Sequence, residues 1–354
     1  MDLQSKVGQL FFIGLNETEG SPELAEYLDE VRPGGIILFS RNLVELPQVR
    51  AFVSWLSNTV DPAPFIAIDM EGGRVNRLKP FVGDLPAAAS FRGTDGARRV
   101  AAFATAKARV LRQIGVNMNF APCVDLSAPG APSGIGDRAF GTDPQAVTAL
   151  AGAYLDALQA EGVAGVLKHF PGLGPTDADT HQVRPSVKKS AQALWDEDLV
   201  PYRALMDRAG GIMVGHAHYA DIDRDRDVAA TLSTAVVGGL LRRKLGYEGL
   251  AMTDDLEMGA VSQEMTPDEL ALFSVLMGSD MVMFQGNTTR VLNARRGLVR
   301  AIHAARLFKD RIDLSVGRIG SVKERFSVGP VGEAFPEAEY ASARDALQAI
   351  AATA

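Results

Sequence analysis

The sequence predicts a single (β/α)8 barrel followed by a short C-terminal extension. Three observations lead there. Eight short apolar segments, each bounded by Gly, Pro or Asp, recur along the chain. Amphipathic stretches of helical period lie between most of them. Polar residues collect at the C-terminal ends of the segments, the end at which a barrel opens its working face.

The strands are expected, in order, at Gln9–Gly14, Gly34–Phe39, Pro64–Met70, Val116–Pro122, Gly165–Phe170, Gly211–His216, Gly249–Asp254 and Met281–Gln285. Their near-continuous apolar character fits parallel strands buried on both faces. Helical patterns fill the gaps at Glu45–Thr59, Ala97–Gln113, Gln145–Glu161, Ala191–Ala209, Ser233–Leu245, Thr266–Met277 and Thr288–Arg306. Asp143-Pro144 and Ser233 supply the residue types that cap helix N-termini. A doubly wound open sheet is the structural alternative. After Gly320 the alternation stops, and Tyr340–Ala354 is alanine-rich with helical potential. Residues 1–320 are therefore expected to form the barrel, and 321–354 an extension too short for a domain.

Composition narrows the function. Apolar residues are 47% and charged residues 22% of 354, which is ordinary globular composition. Lysine and arginine total 36 against 43 acids, a net charge of −7, which argues against nucleic acid or an anionic membrane as partner. The single cysteine, Cys123, excludes a disulfide framework and a cysteine-based zinc site. With no basic leader and no run of 18 apolar residues, a soluble, cytoplasmic protein is expected.

The strand ends carry Asp69, Asp125, Lys168-His169, His216, Asp254 and Gln285. Buried charges drawn from five or more strands are costly unless they are paired or used, so the cluster points to an enzyme. In the segment Lys168 to His181, two glycines and two prolines impose an irregular loop after strand five. Asp179 and His181 lie two apart, on one face of an extended segment. A carboxylate beside an imidazole fixes its tautomer and favours its protonated form, which suits a mobile general acid and base. The strand ending Thr253-Asp254-Asp255 can point only one carboxylate inward. An inward carboxylate among cations suits an ionised nucleophile. In Asp69-Met70-Glu71-Gly72-Gly73-Arg74-Val75-Asn76-Arg77, an internal ion network is expected for Glu71 and Arg74, and hydroxyl contacts for Asp69 and Arg77. Arg138 occupies a loop after strand four.

These residues, in the runs I-D-M-E-G-G-R-V-N-R, G-D-R-A-F-G-T-D-P, K-H-F-P-G-L-G with D-T-H, and T-D-D-L, resemble family 3 glycoside hydrolases. The likeness is to the short, single-domain β-N-acetylglucosaminidases of the NagZ type and runs over roughly residues 5–320. It implies a retaining mechanism with Asp254 as nucleophile and His181, partnered by Asp179, as general acid and base. It places Asp69, Arg77, Arg138, Lys168 and His169 around the bound sugar, with His216 as a weaker match. Three departures stand out: Leu173 where the family often has histidine, Thr180 for serine and Met70 for glutamine. The resemblance further implies muropeptides bearing terminal GlcNAc as substrates, within peptidoglycan recycling in cell-wall metabolism. No metal or other cofactor is implied, and a monomer is expected.

Other readings fit less well. His216-Ala217-His218 is the H-x-H of metal-dependent amidohydrolases, but it ends strand six rather than strand one. Asp221 to Asp225 begins like a calcium loop, yet Arg226 and Leu232 stand at the positions of its glycine and glutamate. Phosphorolysis stays open, because a histidine base repels phosphate less than a carboxylate does. A low-turnover sugar-binding barrel, or a β-glucosidase of the same family, is the remaining alternative. Only Trp55 and Trp195 are available as flat platforms for sugar faces, so a short site taking one terminal sugar is expected.

Overall fold

The computed structural model describes residues 1–127, 134–174, 176, 184–224, 226–261, 265–304 and 306–353. Eight parallel strands close into a barrel in sequence order. They are β1 (Phe11–Gly14), β2 (Gly35–Leu38), β3 (Phe65–Ile68), β4 (Met118–Asn119), β5 (Ala164–Phe170), β6 (Gly211–Val214), β7 (Ala251–Asp255) and β8 (Met281–Phe284). Ile13 pairs with Ile36, Ile36 with Ile66, and Phe11 with Val282 across the closing seam. All eight expected strands are present, and the barrel replaces the open-sheet alternative.

The helices that pack outside are α1 (Leu3–Gln9), α2 (Pro22–Val31), α3 (Leu46–Thr59), α4 (Gly96–Gln113), α5 (Pro144–Ala160), α6 (Ala191–Asp196), α7 (Val200–Leu205), α8 (Pro267–Met277), α9 (Thr288–Ala304), α10 (Arg306–Arg325) and α11 (Glu337–Ala351). A π-type helix spans Thr234–Lys244. Asp143 accepts from the Ala146 N–H and Ser233 from the Val236 N–H, as their positions predict. The helical pattern over 191–209 is divided, because Pro201 has no N–H to continue the ladder. Likewise β4 is only two residues long, since Pro122 offers no donor beyond it. The chain nevertheless stays beside β5 through a Cys123–Lys168 bridge. Of these helices, α1, α2 and α10 went unread in the sequence, as did a single turn at Lys79–Val82. Ser21-Pro22 caps and starts α2 in the ordinary way, whereas Gly317 and Gly320 inside α10 hide its pattern. Position 320 falls within α10, and α11 packs back through Tyr340, whose O–H donates to the Phe81 carbonyl at 3.2 Å. No helix among the described residues is long and apolar enough to cross a membrane.

Aromatic rings fill the barrel interior. Phe12 stacks on Phe65 at 6.3 Å and meets Phe120 edge-on at 5.3 Å between centroids. Gly35 makes room for this ring, since a Cβ there would lie 2.4 Å from Phe12 Cζ. The pairing register shifts near the C-terminal ends of β5 and β7. Such irregularities re-aim side chains, and these two strands carry Lys168-His169 and Asp254.

At the base, Asp280 just before β8 ties strands to helices. Its buried carboxylate accepts from Arg242 at 2.6 Å, Arg311 at 3.1 Å, Arg318 at 3.3 Å and the Ala251 N–H at 3.0 Å. Removing it strands three guanidinium groups around a void. Asp280→Ala is expected to lower unfolding free energy by about 3–5 kcal/mol, read as a lower urea midpoint. A midpoint within experimental error of the parent protein would show that the three arginines do not depend on it.

Candidate active site

A cavity of about 240 Å³ opens at the C-terminal end of the barrel. One wall is charged, built from Asp69, Glu71, Arg77, Arg138, Lys168 and His169. The lining also includes the apolar Ile37, Phe39, Phe120, Leu173, Met213, Met258 and Met283, together with Asp254.

The charged wall starts from the backbone after β3. Asn119 Oδ1 accepts from the Met70 N–H at 3.0 Å and its Nδ2 donates to the Met70 carbonyl at 2.9 Å. Lys107 of α4, fully buried, donates to the carbonyls of Met70 at 3.0 Å and Glu71 at 2.5 Å, and to Tyr154 Oη at 3.2 Å. With only neutral acceptors in reach, burial pulls its pKa well below the usual lysine value. Sequence reasoning missed this lysine. Its signal is a cation on the same helix face as Phe103, Val110 and Leu111.

So fixed, Glu71 accepts two hydrogen bonds from Arg138, at 2.9 and 2.8 Å, and faces Lys168 Nζ at 2.7 Å. Lys168 Nζ also donates to Asp69 at 2.8 Å, and Arg77 lies 3.9 Å from Asp69 on its far side. Burial would raise the Glu71 carboxyl, but Arg138 and Lys168 outweigh it and hold it far below the carboxylate range. Burial would equally discharge Lys168, but Asp69 and Glu71 raise its pKa instead. The expected ion network at Glu71 is present with Arg138 and Lys168 as its partners. Arg74 pairs with Asp137 at 3.3 Å.

Lys168 and His169, joined by a cis peptide, both line the cavity. Asp125 holds the second of them. Its Oδ2 accepts from His169 Nδ1 at 2.7 Å and its Oδ1 from the Leu173 N–H at 2.6 Å. With the proton on Nδ1, Nε2 presents a lone pair to Arg138 Nη2, 3.4 Å away. One buried carboxylate thus orients an imidazole and anchors the start of the loop that leads to Asp179 and His181. Burial would raise Asp125, but His169 and the donors around it keep it below the usual value. Cys123, Asp125 and His169 form the metal-capable cluster found among the described residues. Their donor atoms are already engaged with one another, and burial pushes the Cys123 thiol up and keeps it protonated, so the set is a hydrogen-bonded one.

Asp254 and Asp255 part as strand alternation requires. Asp254 lines the cavity and accepts from the Asp255 N–H at 2.8 Å. Among the described residues no lysine or arginine is ion-paired with its carboxylate. Burial would raise it, but His216, His169, the Asp255 N–H and Lys168 hold it below the ordinary value. His216 does not line the cavity. Its Nε2 donates to the Asp255 carbonyl at 2.9 Å and its Nδ1 meets Thr231 Oγ1 at 2.8 Å, so it supports the end of β7. His218 bonds elsewhere, to Ser186 and the Asp223 carbonyl, and the H-x-H pair shares no ligand position. Asp179 and His181 lie outside the described residues.

Asp255 faces away from the cavity, and burial raises its carboxyl to about 8, with Asp254 and Glu257 adding to the effect against the Glu257 N–H. Its folded pKa exceeds its unfolded value, so wild-type stability falls as pH rises from about 4 through 8, while the unfolded chain alone ionises. Asp255→Asn removes this dependence. Its melting temperature, measured against wild type, is expected to gain steadily between pH 4 and 8; a constant difference would refute the assignment.

Comparison with known proteins places the chain in a family. The profile described as the glycosyl hydrolase family 3 N terminal domain matches residues 2–322. A protein of Alkalilimnicola ehrlichii named beta-hexosaminidase is 38% identical over 278 residues, 77% of this chain and 79% of that one. Beta-hexosaminidase A of Pseudoalteromonas piscicida is 30% identical over 333 residues; the match takes in 86% of this chain, which spans 55% of that relative's length. A glycoside hydrolase family 3 β-N-acetylglucosaminidase from a Paenibacillus species superposes with a TM-score of 0.87 at 32% identity, over 99% of this chain and 69% of that one. The chain belongs to glycosyl hydrolase family 3 and is a glycoside hydrolase.

Proposed function

We propose that the protein is a retaining, exo-acting β-N-acetylglucosaminidase that removes one terminal GlcNAc. The observation that carries this is Asp254, a carboxylate held below its ordinary pKa and paired with no lysine or arginine among the described residues, in a cavity that also holds balanced cations and carboxylates. Two further features support it: relatives named beta-hexosaminidase, and a cavity below the roughly 300–1,000 Å³ usual for drug-sized ligands.

In this mechanism Asp254 attacks the anomeric carbon as the glycosidic C–O bond breaks, and His181 delivers the proton that the leaving oxygen takes up. The glycosyl-aspartate is then opened by water, whose proton returns to His181. Asp179 keeps that imidazole oriented. An imidazole with an ordinary pKa near 6.5 can serve both steps around neutral pH. Asp69, Lys168, Arg77, Arg138 and His169 hold the sugar hydroxyls by charge-assisted hydrogen bonds, and the apolar lining packs against the ring and the acetamido methyl. The proposed substrates are muropeptides of cell-wall recycling, acted on in the cytoplasm by a monomer.

Aryl β-GlcNAc and aryl β-glucoside assayed side by side test the reading. Turnover of the first alone, unchanged by chelator, is expected; sugar 1-phosphate formed on adding phosphate would make the enzyme a phosphorylase. Asp254→Ala should lose about ten-thousand-fold or more in kcat. His181→Ala should slow substrates with poor leaving groups by about 10²–10⁴-fold and activated aryl glycosides far less. Equal losses on both substrates would remove His181 as the acid.

A further inference from the structure

A second cavity, of about 260 Å³, lies at the opposite end of the barrel, between the segment leading into β3 and helix α10. Its walls are mainly apolar, with Pro62, Ala63, Val316 and Ile319 among them. Lys323 lines it and is only 8% exposed. Its Nζ donates to Gln9 Oε1 at 2.8 Å and lies 5.5 Å from the centroid of the Phe65 ring. Gln9 cannot turn its amide freely, because its Nε2 donates to the Arg32 carbonyl at 3.2 Å. Its oxygen therefore stays on the lysine.

This is an unusual place for an ammonium group. Among the described residues no carboxylate lies within 4 Å of Lys323 Nζ. Asp61 acts on it only from a distance, and Glu324, the next residue of α10, lines the cavity. One neutral acceptor and a ring face do not replace water around a charge. Burial accordingly lowers the amine to about 7, with Asp61 opposing. In its neutral form the amine gives one N–H to Gln9 and keeps a lone pair. Nothing in the glycosidase chemistry uses this group.

We propose that Lys323 is a carbonyl-capturing amine, a covalent modification site for short aliphatic aldehydes admitted by the cavity at the base of the barrel. The Nζ lone pair adds to the carbonyl carbon, forming a C–N bond, while the carbonyl π pair moves to oxygen and is protonated. The carbinolamine then loses that oxygen as water, so amine and aldehyde give imine and one water. The product is neutral and carries an alkyl chain, which suits apolar walls. Capture of carbon dioxide would instead place a carbamate anion in a cavity whose flanking ionisable side chains, Asp61 and Glu324, are acidic already.

The test treats the full-length folded protein at pH 7 with butanal and cyanoborohydride, which reduces the imine to a stable secondary amine. Chymotryptic peptides report each lysine, and the α-amine of Met1, a residue that also lines the cavity, is scored separately. Lys323 is expected to be alkylated at least about tenfold faster than surface lysines, whose pKa near 10.4 leaves under about 0.1% free amine at pH 7. Its rate should level off above about pH 7 while theirs continue to climb. Lys323→Arg should abolish the fast adduct. Should that variant fail to fold, Ala63→Leu, which narrows the cavity and keeps the amine, should slow butanal at Lys323 more than formaldehyde. Labelling of Lys323 no faster than the surface lysines, or a rate that climbs to pH 10 with theirs, would overturn the proposal.

Discussion

The candidate site depends on one carboxylate, that of Glu71, shared by Lys168 and Arg138. Two cations packed into a barrel mouth repel each other and lose hydration, and neither would keep its position or its charge alone. Glu71 gives Arg138 a bidentate acceptor and Lys168 a counter-charge, and Asp69 and Arg77 extend the alternation outward. Its own backbone is pinned from behind by Lys107. Charge order at the cavity is thus set by a helix that never touches the cavity.

The same barrel keeps two adjacent carboxyls in opposite protonation states. Asp254 and Asp255 are neighbours on β7, and the period-two alternation of a strand sends one toward His216, His169 and Lys168 and the other toward Glu257. The first is held ionised and the second protonated near neutral pH. Asp255 nevertheless serves Asp254, since its N–H donates to the nucleophile candidate. His216 fixes that peptide from the other side by donating to the Asp255 carbonyl. A neutral Asp255 also spares Asp254 a like charge next door, which would raise its pKa.

Most of the fold was legible because strand period and turn residues are local signals. Phe11-Phe12-Ile13 or Gly35-Ile36-Ile37-Leu38 need no tertiary information to be recognised, and all eight strands lie where their apolar runs do. What escaped depends on context. The α10 helix carries two glycines that its packing tolerates, and the 191–209 pattern breaks just before Pro201, which sits in the first turn of the second helix. At the site, the residues on strand ends were readable because the barrel brings strand ends together. Partner choice was not. That Glu71 binds Arg138, 67 positions away, and not Arg74 follows from loop paths that no spacing reveals. For the same reason the bond from His216 to the Asp255 carbonyl, 39 positions away, could not be read from the sequence.

Three buried lysines show how one fold sets the charge of one residue type by partner alone. Lys168 is buried against two carboxylates, and its pKa is raised. Lys107 is buried against two carbonyls and a phenol, and its pKa falls well below normal. Lys323 has one amide oxygen and falls to about 7. Burial acts in the same direction on all three, so the difference lies in what replaces water. Only a formal negative charge within ion-pair distance reverses the cost of desolvation; peptide and amide oxygens share a proton without retaining it. A sugar-binding ammonium must stay charged to donate three hydrogen bonds. Asp69 and Glu71 are therefore required of the site before any substrate contact is counted.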